Sequence, residues 1–327
     1  MHLFVSGSGF SGSGFLLDFL REQSTVSVLP FRPFNYKSAG MKIGHQVLDL
    51  FLEQNLHTSR LLAFDIVSQL EVSKLRCDEQ SKSAQSAASQ RIVGTLWRAK
   101  RGISSAFRIT SPNPEIKSGS QPLVEAERDL AVFRALVSPP PGGDISKEEM
   151  MKTWFAEKIR RNLPPKASNL VAVDKTVPKE RDRINALLEI ANPARVIFVV
   201  RDPYDQVEDA FRSKKRNRAR KKSFEENLAN YLQSKVLFTE TMIDFAIKRP
   251  HQVAIVRFES LVQDHLRSMQ RLSEWLGVEL HTSEYSHLDL EVSASNIGIL
   301  GDLVERNKSS FRAFVESVAE AERAALV

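Results

Sequence analysis

Five short apolar segments, each followed by a polar or glycine-rich stretch, predict five β-strands. The fourth segment, Ala194–Val200, is rich in β-branched residues without polar alternation, which indicates burial on both faces, as in a parallel sheet. Amphipathic spacing typical of helices lies between the segments. Alternating strands and helices predict an α/β fold with a three-layer, doubly wound parallel sheet. The predicted strands are residues 2–5, 25–29, 169–175, 194–200 and 252–257.

The region between the second and third predicted strands has a helical pattern and contains no further predicted strand. A polar stretch of low complexity at 81–90 and a Ser-Pro-Pro-Pro-Gly-Gly sequence at 138–143 interrupt it. We therefore expect a single domain over residues 1–327, with a helical insertion at residues 40–165.

The first predicted strand leads into a stretch rich in glycine and serine, residues 7–14, and then into helical spacing. Such a loop directs several backbone N–H groups at one point, at the positive end of a helix dipole, and its glycines let a bulky anion approach. Serine hydroxyls can add further donors. A turn that only needs positive φ angles is the alternative. The predicted phosphate-binding residues are Gly9, Phe10, Ser11, Gly12, Ser13, Gly14 and Phe15.

The loop alone leaves the identity of the anion open. Residues 7–12 fit the G-x-G-x-x-G pattern of dinucleotide-binding folds, but no carboxylate follows at residues 28–32, where that pattern requires one. The same residues have the spacing of a P-loop, yet Ser13 and Gly14 replace its Lys and Ser/Thr, which argues against ordinary NTP hydrolysis. An oxidoreductase that uses NADPH is therefore one hypothesis.

Composition narrows the class of protein. The hydrophobic content of 42% and the charged content of 26% are ordinary for a globular protein. The single cysteine, Cys77, excludes an internal disulfide and a cysteine-rich metal site, so we expect a reducing, cytoplasmic location. No apolar run approaches about 18 residues and no signal-peptide pattern precedes the first strand, so we expect no membrane span.

Positive charge is concentrated at residues 212–222, which carry eight cations in eleven residues. Such a run creates a strong positive field. It lacks interleaved aromatic residues and any recognised nucleic-acid module, so nucleic acid is not the expected partner. Steering of an anionic donor, binding of an acidic glycan and a solvated helix end are the three open interpretations.

Four stretches, taken in order, resemble the sulfotransferase family. The loop at 7–16 is similar to the family's 5′-phosphosulfate loop, and residues 173–178 are similar to its E-K-[ST]-P strand end. Residues 196–205 are similar to its R-[DN]-P motif for the 3′-phosphate, and residues 256–278 to its C-terminal Y-E-D-L … F-L-G segment. The resemblance implies a P-loop fold like that of nucleotide kinases. It also implies transfer of a sulfuryl group from 3′-phosphoadenosine-5′-phosphosulfate (PAPS) to a hydroxyl.

The resemblance also implies roles for individual residues. Arg201 corresponds to the contact with the 3′-phosphate, and Asp209 stands where the family has a second contact, a serine eight residues after the arginine. Phe10 stands where the family has a catalytic Lys or Arg, so Lys175, which matches the motif after the third strand, is the predicted catalytic cation.

Two further cations are predicted near the reaction. Arg32 and Lys37 lie in the loop that follows the second predicted strand, and ligands of open α/β sheets bind at that edge. The resemblance implies PAPS as donor, no metal, and a hydroxyl acceptor, for which a saccharide is one candidate. Because Phe10 and Asp209 depart from the family pattern, a non-catalytic protein that binds a nucleotide or an anionic glycan is a further alternative.

Overall fold

The structure is a computed structural model, and it describes residues 1–7, 10–29, 42–54, 58–71, 121–137, 146–161, 163, 170–174, 180–212, 223–281, 288, 290–299 and 301–326. The strands are β1 His2–Gly7, β2 Val26–Val28, β3 Leu170–Asp174, β4 Ala194–Val200 and β5 Val253–Arg257. The helices before β4 are α1 Ser13–Arg21, α2 Lys42–Leu52, α3 58–71, α4 Gln121–Val137, α5 Lys147–Arg161 and α6 Arg181–Ile190. The helices after β4 are α7 Pro203–Arg212, α8 223–226, α9 Leu228–Lys248, α10 Phe258–Gln263, α11 His265–Leu276, α12 Leu290–Ala294, α13 Asp302–Arg306 and α14 Arg312–Arg323, with a 3₁₀ turn at Lys308–Phe311.

The chain divides into two compact units. Unit 1 comprises residues 1–33 and 155–327 and holds the sheet, whereas unit 2 comprises residues 34–154. The expectation of a single domain with an insertion at 40–165 stays a prediction.

The five strands form one parallel sheet in the order β2-β3-β1-β4-β5. The predicted α/β class with a parallel sheet of about five strands is therefore confirmed. The chain moves from β1 towards β2 on one side and from β4 towards β5 on the other, so β1 and β4 flank the topological switch point. Ligands of such sheets bind outside the carboxyl ends of the strands at this point.

Both faces of the sheet are covered because the strands are apolar on both sides. On one face, Leu3 and Val5 of β1 and Ile197 of β4 pack in a single core with α1, α10 and α11. On the other face, Phe198 of β4 meets Phe238 of α9 edge-on, with 5.0 Å between the ring centroids. The continuous run of apolar residues in β4 is explained by this burial on two sides.

Unit 2 has a core of its own. The Trp154 indole donates a hydrogen bond of 2.7 Å to the buried Asp129 carboxylate, and the Trp154 ring packs edge-on against Phe133. The Lys147 ammonium donates to the Leu50 carbonyl at 2.8 Å, near the carboxyl end of α2, where helix carbonyls lack intrahelical donors.

Among the described helices, none combines the length and the apolar character that crossing a membrane requires.

The burial of β4 on both faces leads to a prediction about stability. Phe198 is completely buried, so Phe198→Ala should lower the free energy of unfolding by about 3–5 kcal/mol through lost burial and the cavity left behind. Leu237, on the adjacent α9, is 57% exposed, and Leu237→Ala should change it by less than about 0.5 kcal/mol. Urea denaturation measures both changes, and equal losses would contradict the assignment of the core.

Candidate active site at the carboxyl edge of the sheet

The β1–α1 loop owes its shape to glycine at residue 12. Gly12 has φ of +89°, and a Cβ added there would lie 2.2 Å from the ring of Phe258. No other residue fits this position without strain and collision. Phe10 also has a positive φ, 58°, and its side chain is 45% exposed, so the loop holds an aromatic ring in contact with solvent on a strained backbone.

The two loop serines turn inward. Ser11 is fully buried and Ser13 is 2% exposed, and a Cβ on Gly7 would lie 1.9 Å from the Ser11 hydroxyl oxygen. By contrast, a Cβ on Gly14 would meet nothing within 4 Å. The first turn of α1 carries backbone N–H groups without an intrahelical acceptor, as every helix start does. The open surface at Gly14 therefore lies beside the donors that an anion would use.

Arg201, the first residue after β4, joins the loop to two other segments. Its Nη1 donates to the Phe10 carbonyl at 3.1 Å and to the Asp209 carboxylate at 2.5 Å, and its Nη2 donates to the Asn296 carbonyl. The guanidinium also lies over the ring of Phe258, 5.0 Å from its centroid. Arg201 is only 3% exposed, so these contacts replace water as its partners.

The start of α7 is held by carboxylates. The Asp202 side chain accepts hydrogen bonds from the N–H groups of Tyr204 and Asp205, which caps the helix. The Asp202 N–H in turn donates to Glu259 at 2.8 Å, so the strand end after β5 supports the strand end after β4. Asp205 accepts a hydrogen bond of 2.7 Å from the Gly298 N–H, which ties residues 296–299 to α7.

Burial shifts two of these carboxyl groups. Burial raises the pKa of Asp205 above its ordinary value, as does the charge of Asp202, while the hydrogen bond from Gly298 and the charge of Arg201 oppose the rise. Burial likewise raises the pKa of Glu259, against the lowering effect of the hydrogen bond from Asp202. A negative charge added near these two buried carboxyl groups would be unfavourable.

Several buried polar atoms at this edge have no hydrogen-bond partner within the described part of the chain. They are Ser11 Oγ, Arg201 Nε, Glu208 Oε2 and Glu259 Oε2. A buried donor or acceptor without a hydrogen-bond partner costs about 1–3 kcal/mol, so native proteins seldom contain several of them together. Arg201 Nε is a donor, whereas the two glutamate oxygens are acceptors.

The structure brings some of the predicted residues together and does not describe others. Phe10 to Phe15, Arg201 and Asp209 surround one region, with Arg201 and Asp209 forming the ion pair. Lys175, Arg32, Lys37 and Gly9 lie outside the described residues, as does the basic run except Arg212, which pairs with Glu208.

Three participants were missed by sequence reasoning. Phe258 and Glu259 directly follow β5, and their position at a strand end was a signal that could have nominated them. Asn296 contributes only its backbone carbonyl, which no sequence pattern indicates.

Within the described ranges, no cluster of three or more His, Cys, Asp or Glu side chains could hold a metal ion.

The raised pKa of Asp205 predicts a pH dependence of stability. Because the folded pKa lies above the ordinary value of 3.8, the stabilisation from protonated Asp205 is complete below that value and is lost as the pH rises through the folded pKa. Asp205→Asn is neutral at every pH and keeps an oxygen for the Gly298 N–H. Its unfolding free energy relative to wild type should therefore increase between about pH 4 and pH 7.

Urea denaturation at several pH values measures this change, with Asp18→Asn as the exposed control. A difference between Asp205→Asn and wild type that stays constant with pH would contradict the prediction.

Comparisons with known proteins bear on this site. One solved structure, the sulfotransferase domain of the olefin synthase from Synechococcus PCC 7002, is similar over 99% of this chain and 93% of its own, at 13% identity and a TM-score of 0.44. That similarity is too weak to support a conclusion about this protein. No curated protein matches the chain.

A sequence profile described as "Sulfotransferase family" matches residues 117–282, which is half of the chain. The matched range contains β3, β4 and β5, and with them Arg201, Asp209 and Phe258. On this match, the protein belongs to the sulfotransferase family.

Proposed function

We propose that this protein transfers a sulfuryl group from PAPS to a hydroxyl acceptor, with a saccharide as one candidate. The observation that carries the proposal is the meeting of the β1–α1 loop with Arg201, whose Nη1 lies 3.1 Å from the Phe10 carbonyl oxygen at the switch point of the sheet. Membership of the sulfotransferase family supports the reaction class.

The loop suits the 5′ end of the donor. The first turn of α1 has N–H groups available, and the surface at Gly14 is open. PAPS, when bound, supplies an activated sulfuryl group, and sulfuryl transfer needs positioning and neutralisation of charge rather than covalent help. The buried serines Ser11 and Ser13 serve the shape of the loop, so in this proposal the backbone holds the anion.

Arg201 suits the 3′ end of the donor. Its planar guanidinium is held at a strand end, and its Nε has no partner among the described residues. The planar fork of donors on a guanidinium matches the oxygens of a phosphate.

The residue proposed as the catalytic cation lies outside the described residues. Phe10 presents a ring where the family has a cation, so charge that develops on the leaving oxygen needs another partner. We assign this to Lys175. Val5 of β1 pairs with Asp174 of β3, and Lys175 directly follows Asp174 in the sequence.

Arg32 and Lys37 follow β2, which pairs with the other side of β3. We assign them to supporting contacts with the anionic groups.

A cytoplasmic location stays a prediction, as does independence of a metal.

A binding protein without catalysis is the second candidate, because Phe10 and the Arg201–Asp209 ion pair both depart from what catalysis requires. An oxidoreductase predicts binding of NADPH instead. Calorimetry with PAPS, its product adenosine 3′,5′-bisphosphate (PAP), NADPH and ATP in parallel separates the three. Binding of PAP and PAPS with turnover supports the enzyme, binding without turnover supports the second candidate, and binding of NADPH alone supports the oxidoreductase.

The role of the loop is tested at Gly14. Gly14→Glu adds a carboxylate in open space at the start of α1, which favours the helix dipole by about 0.3–1 kcal/mol yet repels a bound anion. We expect PAP affinity to fall by at least about tenfold, with no loss of stability in urea denaturation. Gly14→Gln has nearly the same size without charge and should lose much less. Equal losses in both variants would show that bulk, and not charge, matters at the loop.

The catalytic role of Lys175 is tested by turnover. Lys175→Met should lose about 100- to 1,000-fold in the rate of PAPS consumption, because a donor aimed at developing charge is removed. Its affinity for PAP should stay within roughly tenfold of wild type. Hydrolysis of PAPS to PAP is the readout, since it needs no known acceptor, and Phe10→Lys is the companion variant.

Equal turnover by Lys175→Met and wild type would leave Lys175 with a structural role. Turnover by Phe10→Lys but not by wild type would identify the natural protein as a binding protein.

A further inference from the structure

The groups that surround the Arg201 guanidinium are all hydrogen-bond acceptors within the described part of the chain. They come from three segments: the Phe10 carbonyl from the loop, the Asp209 carboxylate from α7 and the Asn296 carbonyl from the segment after α12. A phosphate is itself an acceptor, so it gains nothing from these three groups. Among the described residues Nε has no partner, but this atom is buried, so a phosphate must share Nη1 and Nη2 with the three groups.

One of the three partners is exchangeable. The two carbonyls belong to the backbone, and the guanidinium is fixed by its burial and by the Phe258 ring beneath it. The Asp209 side chain is 27% exposed, against 3% for Arg201, so solvent reaches the carboxylate and not the guanidinium. An anion that reaches Arg201 Nη1 therefore displaces Asp209 and leaves its carboxylate as a nearby like charge.

We propose that Asp209 is a specificity-determining residue, whose carboxylate competes with the 3′-phosphate of the nucleotide for Arg201 and so weakens selection of 3′-phosphorylated over unphosphorylated adenine nucleotides. This inference rests on the proposed function, which brings the nucleotide to Arg201. The ion pair is neutral before the ligand arrives, so a 3′-phosphate finds no net positive charge in the pair.

The opposing interpretation is that Asp209 only fastens α7 to the strand end. That role predicts a loss of stability on substitution, with the ratio of the two nucleotide affinities unchanged. Competition predicts a change in the ratio, whatever happens to stability. The ratio therefore separates the two interpretations.

The experiment is calorimetry of PAP and AMP, which share the 5′-phosphate and differ at the 3′ position. Wild type is compared with Asp209→Ser and with the isosteric Asp209→Asn, which keeps the shape if the serine variant unfolds. Asp244→Asn is the matched control, because Asp244 is 28% exposed and also pairs with an arginine, Arg181, away from the loop. Circular dichroism confirms folding of each variant.

We expect both Asp209 variants to bind PAP at least about tenfold more tightly than wild type, or about 1.4 kcal/mol. Binding of AMP should stay within about threefold, and Asp244→Asn should change neither affinity. An unchanged ratio in a folded Asp209 variant overturns the inference while leaving the loop site intact.

Two further outcomes also decide the matter. Wild type that selects PAP over AMP by more than about 100-fold overturns the inference without any variant, because strong selection excludes effective competition. Absence of binding of either nucleotide to any of the proteins overturns the proposed function, and the inference with it.

Discussion

The buried guanidinium of Arg201 is the interaction on which this edge of the protein depends. It joins a loop carbonyl, a helix carboxylate and a distant backbone carbonyl, and it rests on the face of Phe258. A buried charge is tolerated only when it is paired and hydrogen-bonded, so these partners are a condition for keeping an arginine there at all. One of these contacts is to the carbonyl of Phe10, whose backbone has a positive φ of 58°.

The candidate site combines the start of a helix with several nearby carboxyl groups. The start of α1 favours negative charge, whereas Asp202, Asp205 and Glu259 gather around the strand ends after β4 and β5. The carboxylates are stabilised by the hydrogen bonds that cap α7 and by the hydrogen bond between the strand ends after β4 and β5. The Nε of Arg201 has no hydrogen-bond partner among the described residues.

The fold was predictable because its signals are local. A strand buried on both faces is apolar along its buried part, and β4 is apolar from Val196 to Val200. The glycine requirement was also visible in part, since Gly12 lies between an apolar segment and a helix. The Arg201–Asp209 neighbourhood was predicted from the resemblance to the sulfotransferase family, in which both positions contact the 3′-phosphate. The ion pair between the two residues was not predicted, because Asp209 was expected to repel a phosphate and not to be the partner of Arg201.

The α/β class, the order of the strands along the chain and the family all follow from periodicity and from motifs read along the residues. The groups that meet Arg201 depend instead on how the chain folds in three dimensions. Phe10, Asn296 and Phe258 are separated from Arg201 by between 57 and 191 positions, and none of them acts through a polar side chain: two use a backbone carbonyl and one a ring face. Contacts of that kind leave no mark on residue spacing, since they arise when parallel strands bring their carboxyl ends to one edge.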